Sequence, residues 1–421
     1  MSRRGEFDVI VVGAGAVGGA LALALARDGF EVALVEAREP KPWRTDEEVD
    51  LRVVALAPDA RVLLDDLGVW PSIAAARIGP YRHMRVWDAL APGELHFDAA
   101  EQGEAALGWI VENKLVQSML WRALHEDPLC GSGGSRDALV ANPARSIAAS
   151  AAPTGVRMHC PGEVADIEDG DSGVTATLAD GTRLRARVLV AAEGAESSVR
   201  TRLGIPFEGR DYAQRAVVAH VATERPHAGT AWQRFQPGGP LAFLPLADGR
   251  CSIVWSLPDA EAARVLALDD GAFSAELGCA FDFRLGAITR ATPRAAFPLR
   301  LRLAARYLAG RCVLAGDAAH VVHPLAGQGM NLGLRDVACL RRVLRAARER
   351  GSDLGAEHVL RRYERERRSD NTLAARGLDA IERVYGSASE PVAALRGAAL
   401  ALAGRFAPLR GMLASIAAGR P

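Results

Sequence analysis

The stretch that decides the fold is Gly13-Ala14-Gly15-Ala16-Val17-Gly18, close to the start of this 421-residue chain. The apolar run 7–12 before it predicts a strand, and the run 20–27 after it predicts a helix. A second predicted strand, 31–35, is followed directly by Glu36. In such a unit the first glycine permits a tight turn, the second lets backbone approach a pyrophosphate, and the third lets helix and strand pack closely. The sequence therefore predicts a dinucleotide-binding βαβ fold.

Glu36 also indicates which dinucleotide binds. Its carboxylate can accept hydrogen bonds from a ribose 2′-hydroxyl and would repel a 2′-phosphate, which favours FAD or NAD over NADP. The phosphates would lie at the positive end of the helix, near Ala16 and Val17. No second glycine motif of this type follows in the chain, so NAD(P)H is expected to visit transiently rather than to occupy a domain of its own.

Composition argues against several other classes of protein. The 51 Lys and Arg residues equal the 51 Asp and Glu residues in number, so no overall charge attracts nucleic acid or an anionic membrane. The six cysteines form no close C-x-x-C pair, and the nine histidines form no H-E-x-x-H motif, so no metal site is expected. The chain shows no signal peptide and no apolar run of the roughly 20 residues that a membrane helix needs. These observations favour a cytoplasmic protein.

A second motif lies far downstream, at 311–331. An apolar strand there ends at Gly316-Asp317, and glycines from Gly327 to Gly333 open a second helix. An aspartate at the end of a buried strand can hold a ribityl hydroxyl, and a helix N-terminus can stabilise negative charge on a reduced flavin. Two helix ends that favour anions suit one long cofactor, which points to FAD.

The remaining patterns predict two lobes and a tail. The short apolar runs with turn residues between them predict an antiparallel substrate-binding sheet, inserted into a discontinuous Rossmann-like lobe. The predicted FAD-binding domain covers 1–79, 110–204 and 300–375, the substrate domain covers 80–109 and 205–299, and a helical tail covers 376–421. The Gly/Ser-rich segment 130–153 is predicted to be a flexible insertion. The arginine-rich region after Asp336 is interpreted as a largely solvated helix face.

Taken together, the motifs resemble the class A flavoprotein aromatic hydroxylases, and more closely the UbiH/UbiF/VisC group of ubiquinone-biosynthesis hydroxylases. The stretches that carry this resemblance are 50–56, 108–113, 243–246, 252–256 and 316–336. The resemblance extends over most of the chain and implies an α/β fold with α+β lobes like that of p-hydroxybenzoate hydroxylase.

The resemblance also implies an activity and its cofactors. The expected reaction is hydroxylation of a polyprenylated phenol or benzoquinol ring in ubiquinone biosynthesis, through a C4a-hydroperoxyflavin formed from FAD, NAD(P)H and O2. The segments 84–88 and 110–113 resemble the VisC-like member of the group, which favours hydroxylation at C5. Which pyridine nucleotide is used, how long the prenyl chain is, and whether the protein is a homo-oligomer stay open.

Site residues follow from the same resemblance, position by position. Those expected to bind the ADP half of FAD are Gly13, Gly15, Ala16, Val17, Gly18 and Glu36. Those expected around the rest of the cofactor are Arg52, Gln117, Gly316, Asp317, Pro324, Gly327, Gln328, Gly329, Met330 and Asn331. Glu193 stands where the family usually has the aspartate that serves FAD and pyridine nucleotide binding, and this puts efficient NAD(P)H engagement in doubt.

His323 is the candidate catalytic residue, because imidazole titrates near neutral pH and could assist deprotonation of a phenol. A loop histidine bonded to backbone is the competing interpretation, and His320 is interpreted as structural. The aromatic candidates for an apolar substrate tunnel are Trp87, Trp232, Phe235, Phe243 and Trp255, although core packing is their default interpretation. The segment 391–418 would suit an amphipathic helix that touches lipid or partner enzymes, or one that packs on the FAD lobe.

Two alternatives to this function stay open. The first is a flavin monooxygenase or halogenase of secondary metabolism, although Lys41 and Lys114, the only internal lysine candidates, lack the context of a halogenase lysine. The second is a non-catalytic flavoprotein scaffold in a quinone-biosynthesis complex, for which Glu193 is the only support.

Overall fold

The computed structural model describes residues 6–126, 155–322 and 328–386. The first part contains β1 (Glu6–Val12), α1 (Ala16–Arg27), β2 (Val32–Val35), β3 (Val53–Leu56), α2 (Pro58–Asp66), α3 (Trp70–Ala74), β4 (Gly79–Tyr81), β5 (His83–Asp88), β6 (Glu94–Asp98), β7 (Gly108–Glu112) and α4 (Asn113–Glu126). The second part contains β8 (Val156–His159), β9 (Val164–Gly170), β10 (Gly173–Leu178), β11 (Arg183–Ala191), α5 (Ser198–Arg202), β12 (Phe207–Thr223), β13 (Thr230–Phe235), β14 (Leu241–Pro245), β15 (Cys251–Pro258), α6 (Asp259–Ala267), α7 (Asp270–Ala280), β16 (Ile288–Ala291), β17 (Ala295–Ala304), β18 (Leu308–Ala309), β19 (Cys312–Leu314) and β20 (His320–Val321). The third part contains α8 (Gln328–Glu349) and α9 (Glu357–Gly386).

An eight-stranded sheet forms the first lobe. Its central order is β18-β19-β11-β1-β2-β8, with β10 beside β11 and β9 beside β10. Strand β1 lies between β2 and β11 and runs parallel to both. Its residues Val9 to Val12 are buried, as expected for a strand that is covered on both faces. The predicted order of strand, glycine loop, helix and strand is confirmed.

Helix α1 is buried along almost its whole length. Residues 18–26 are all buried, because the helix packs against β1, α4 and α8. Its sequence is accordingly apolar on every side rather than on one stripe. The helix that carries the glycine loop is therefore held rigidly in the core.

A nine-stranded sheet forms the second lobe. Its order is β20-β17-β12-β15-β14-β13-β5-β6, with β16 also beside β12, and only β13 and β5 pair in parallel. A small sheet, β3-β7-β4, completes the architecture. The predicted α/β fold with an antiparallel second lobe is confirmed. The sheet reaches past the predicted limit at residue 299, because β17 continues to Ala304 and β20 adds residues 320–321.

The two faces of the nine-stranded sheet pack against different elements. On one face, α6 and α7 cover a core that contains Trp87, Phe243 and Trp255, with Trp232 packed against it. Side chains alternate along a strand, so Phe235, three positions after Trp232, lies on the other face, where its ring stacks on Tyr385 at 4.0 Å. All five tunnel candidates thus pack in hydrophobic cores, which was their default interpretation.

Helix α9 connects the two lobes. Its first half packs on the eight-stranded lobe, where the Tyr363 hydroxyl donates to the carbonyl oxygen of Leu314, 2.8 Å away. In its second half, Asp379 and Glu382 both pair with Arg210 of β12. The helix is continuous across the predicted start of a tail at residue 376.

Two predictions fall outside the described residues, namely the flexible insertion 130–153 and the tail helix 391–418. Within the described residues, none of the helices combines the length and the apolar composition needed to cross a membrane.

Candidate functional site

The glycine loop shows the close contacts that its spacing predicts. Gly13 has a φ of +100°, and a Cβ atom on it would lie 2.5 Å from the carbonyl oxygen of Ala192. A Cβ atom on Gly18 would lie 1.9 Å from the carbonyl oxygen of Gly13. At Gly15, in contrast, a Cβ atom would have no neighbour within 4 Å. The first and third glycines are therefore needed for packing, and the second faces open space that a ligand could fill.

The open space lies at the N-terminus of α1. Gly15 is the N-cap of this helix, and among the described residues no side chain caps it. The first backbone N–H groups of an α-helix, here beginning at Ala16 and Val17, have no partner within the helix. They form a positive helix end that favours a phosphate.

Two predicted cofactor residues hold the loop from either side. The Ala14 N–H donates to Oε2 of Glu36 at 2.5 Å, and Nε2 of Gln117 donates to the Ala14 carbonyl oxygen at 3.2 Å. The second carboxylate oxygen of Glu36 accepts from the N–H of Arg38 at 3.1 Å. Glu36 and Gln117 thus lie at the loop and fix its backbone, and their contact with the cofactor stays a prediction.

The second motif places a carboxyl group in the same region. After β19 the chain makes a single 3-10 turn, Gly316–Ala318, in which Gly316 has a φ of +61°. The Asp317 side chain is reached by solvent, but the protein atoms that surround it remove part of its hydration. This desolvation raises the pKa of Asp317, and the negative charge of Asp336 adds to the rise while His320 opposes it. Among the described residues, none is seen to bond to the Asp317 carboxyl group, so it is available to a ligand hydroxyl.

The two motifs meet at Val17. A Cβ atom on Gly316 would lie 3.0 Å from Cγ2 of Val17, and one on Gly333 of α8 would lie 2.5 Å from the same atom. The first turn of α1, the Asp317 turn and the first turns of α8 therefore converge. Residues 300 positions apart in the chain form one site that has two helix N-termini and one carboxyl group.

The start of α8 is fixed by Asn331. This residue is buried, and its Nδ2 donates to the Ala55 carbonyl oxygen at 2.8 Å while its Oδ1 accepts from the N–H of Ala57 at 3.0 Å. The side chain predicted to line a flavin ring thus joins α8 to the end of β3. Gln328, Gly329 and Met330 are half-buried at the same end of the helix.

Arg52 lies where the two lobes meet. Its guanidinium carbon is 4.8 Å from the centre of the Phe297 ring in β17. The loop before it is held by His220 of β12, whose Nε2 lies 3.1 Å from the carbonyl oxygen of Asp50. Arg52 is exposed and could contact a ligand bound between the lobes. Of the internal lysines, Lys114 pairs with Glu47 near this loop.

Glu193 has its backbone at the site and its carboxylate elsewhere. A Cβ atom on Gly13 would lie 2.9 Å from Cα of Glu193. The carboxylate accepts from the hydroxyl of Ser197 at 2.5 Å, the hydroxyl of Ser198 at 2.9 Å and the N–H of Val199 at 3.1 Å. In this arrangement Glu193 stabilises the start of α5, as in a simple strand-to-helix turn.

Several predicted residues lie outside the described residues, namely His323, Pro324 and Gly327. His320, interpreted as structural, is fully buried and its Nε2 lies 2.6 Å from Oδ2 of Asp336. Among the described residues, no group of three or more His, Cys, Asp or Glu side chains could hold a metal ion.

Sequence reasoning missed a buried polar cluster behind the Asp317 turn. It contains Asp336, Arg367 and Asn371, with 0%, 4% and 0% exposure. The interpretation of the arginine-rich region as a solvated face is wrong for Arg367. Its position four residues after the aromatic Tyr363 was the available indication, because residues i and i+4 share one face of a helix.

Comparisons with known proteins agree with this geometry. A family model described as FAD binding domain matches residues 6–376. The chain is 35% identical over 403 residues to the 3-demethoxyubiquinol 3-hydroxylase of Escherichia coli K12, covering 96% of each chain. It is 38% identical over 403 residues to the ubiquinone hydroxylase UbiL of Rhodospirillum rubrum, covering 96% of this chain and 87% of that one. The crystal structure of p-nitrophenol 4-monooxygenase PnpA from Pseudomonas putida has the same fold, with a TM-score of 0.71, 21% identity, and coverage of 98% and 97% of the two chains.

Proposed function

The chain belongs to the family described as FAD binding domain, and from this premise we propose that it hydroxylates the ring of a polyprenylated phenol or benzoquinol on the route to ubiquinone. The observation that carries the proposal is the convergence of the α1 N-terminus, the Asp317 carboxyl group and the α8 N-terminus around Val17. The printed names of the two ubiquinone hydroxylases above support this substrate class. The preference for C5 stays a prediction.

The residues present fit FAD. Open space at Gly15 and the uncapped N-terminus of α1 suit the pyrophosphate, and Glu36 is placed for the adenosine ribose. The available carboxyl group of Asp317 suits a ribityl hydroxyl, and the N-terminus of α8 suits negative charge on the flavin ring. When bound, FAD supplies the redox chemistry by accepting a hydride from NAD(P)H and activating O2.

The two lobes divide the remaining tasks in this proposal. The eight-stranded lobe orients the cofactor, and the face of the nine-stranded sheet that is not covered by α6 and α7 receives the substrate ring. Arg52, stacked on Phe297, would restrict the entry of water between the lobes. The proposal also includes contacts with other enzymes of the route, a peripheral position at the inner membrane, and assembly into a homo-oligomer.

We expect loss of this protein to change the quinone pool of the cell in a specific way. Lipid extracts of a deletion strain should contain a prenylated precursor that lacks one ring hydroxyl. The purified protein should convert that precursor with FAD, NAD(P)H and ¹⁸O2, placing one ¹⁸O atom in the product. An unchanged quinone pool would rule out this function. A protein whose flavin stays oxidised under anaerobic NADH and NADPH, even with the precursor present, would be a scaffold instead.

For His323 we propose assistance in deprotonating the phenol. Asparagine at this position keeps a hydrogen-bonding side chain but cannot titrate near neutral pH. The native enzyme should show an inflection in turnover near neutral pH, and the His323→Asn variant should bind FAD normally and lose that inflection. Unchanged turnover and an unchanged pH profile would exclude His323 from the chemistry.

A further inference from the structure

Among the described residues, the carboxylate of Asp336 has four hydrogen-bonding partners, and it is fully buried. Oδ2 accepts from the N–H of Gly316 at 2.9 Å and lies 2.6 Å from Nε2 of His320. Oδ1 accepts from Nε of Arg367 at 2.8 Å and from Nδ2 of Asn371 at 3.1 Å. Burial would raise the pKa of Asp336, but His320 and Arg367 outweigh this effect and hold the pKa below its usual value. Asp336 is therefore a charged group in the protein interior.

A buried ion pair is a costly way to join two helices. Well-packed apolar side chains of similar volume would hold α8 and α9 together at least as well. An apolar side chain could not, however, accept a hydrogen bond from the N–H of Gly316. The partner that distinguishes this carboxylate is thus a backbone group in the turn that presents Asp317.

The same turn is held at neighbouring points by α9. The hydroxyl of Tyr363 donates to the carbonyl oxygen of Leu314, at the end of β19. Nη2 of Arg367 donates to Oδ1 of Asn371 at 2.8 Å. The guanidinium group that neutralises Asp336 is therefore itself held in place. The turn has few ways to move while these bonds persist.

We propose that Asp336, Arg367, His320 and Asn371 are positioning residues that fix the Gly316–Asp317 turn for the ribityl chain of FAD. The inference rests on the proposed role of Asp317 in FAD binding. It assigns to α9 a part in cofactor affinity, exerted through Asp336.

The expected effect of Asp336→Asn follows from hydrogen-bond geometry. Arg367 has donors only, so it attracts the amide oxygen of the new Asn and turns the amide NH2 toward the N–H of Gly316. Two donors then face each other and the turn shifts. We expect FAD affinity to fall about 10-fold or more, the size of a lost charge-assisted hydrogen bond.

A second substitution should rescue the first. In Asp336→Asn with Arg367→Gln, the Gln oxygen can accept from the Asn NH2, which frees the Asn oxygen to accept from Gly316. FAD affinity, followed by titration of flavin fluorescence below the unfolding temperature of every variant, should return to within about 3-fold of the native value. A merely structural role predicts the opposite, because two buried changes would weaken the fold more than one.

The control is Arg341→Gln, which breaks a different ion pair of α8, the half-buried pair with Asp28 at the far end of α1. It should lower the stability of the apoprotein and leave FAD affinity within about 2-fold. Native affinity in Asp336→Asn, or a double variant that is folded but binds no better than the single one, would overturn the inference. If Asp336→Asn does not fold, Arg367→Lys tests the inference instead: it keeps the positive charge but loses the bond to Asn371 that holds this charge in place, so FAD affinity should fall, and native affinity in this folded variant would overturn the inference.

The variant Asp317→Ala separates this inference from its premise. If Asp317→Ala weakens FAD binding and Asp336→Asn does not, only the positioning role fails. If neither variant weakens it, the proposed role of Asp317 fails as well.

Discussion

A Gly15→Val variant is expected to fold like the native chain and to bind FAD at least about 100-fold more weakly, a loss of about 2.7 kcal/mol. Gly15 has a φ of −67°, which valine can adopt, and its Cβ atom would meet no protein atom within 4 Å. The added side chain would occupy the space through which a pyrophosphate reaches the N-terminus of α1. Flavin titration gives the affinity, and urea unfolding of the apoprotein gives the stability.

The contrast with stability makes this test specific. At the N-cap, valine is expected to cost no more than about 1 kcal/mol of apoprotein stability. Gly377→Ala is the control, since this glycine lies on the exposed face of α9 with no atom within 4 Å of a Cβ. It should leave FAD affinity unchanged. A Gly15→Val protein that retains native affinity would place the pyrophosphate elsewhere.

The Asp317→Ala variant is expected to change cofactor affinity and apoprotein stability in opposite directions. FAD affinity should fall about 30-fold or more, because a charged acceptor for a ribityl hydroxyl is lost. The apoprotein should become more stable at pH 7. The pKa of Asp317 is raised on folding, so the ionised carboxylate opposes folding at any pH above its folded-state pKa.

The pH dependence checks the sign of this argument. The stability advantage of Asp317→Ala should shrink as the pH falls through the raised pKa, and it should vanish below the ordinary Asp pKa of about 4. Asp317→Asn should show the same gain in stability with a smaller loss of affinity, because an amide oxygen still accepts a hydrogen bond. An apoprotein that is less stable at pH 7 than the native chain would contradict the prediction.

The sequence was most informative where one residue type has one physical task. The spacing of Gly13, Gly15 and Gly18 predicted the loop because a Cβ atom at the first or third position would lie only 2.5 Å or 1.9 Å from a backbone oxygen. The location of Glu36 followed from the length of β2, and Asp317 followed from the end of β19. These are local relations between a residue and its own strand or helix.

Relations across the fold were harder to predict. The tryptophans of the nine-stranded sheet are equally apolar on either face, and only the register of the strands decides which face meets α7. Arg367 stands among exposed arginines, and only the tertiary contact with Asp336 makes it a buried one. The carboxylate of Glu193 turns to α5 because two serines that follow it offer hydroxyl groups nearby.

Helix α9 anchors both lobes with one continuous run of 30 residues. Arg367 and Asn371 face the cofactor turn, and two turns later Asp379 and Glu382 face Arg210 of the sheet. Each residue of an α-helix advances by about 100° around the axis, so inserting or deleting one residue between these anchors would rotate one set away from its partners. Inserting a whole turn would restore the direction of both sets but move one of them by about 5.4 Å along the axis, so the two anchors together fix the length of this segment.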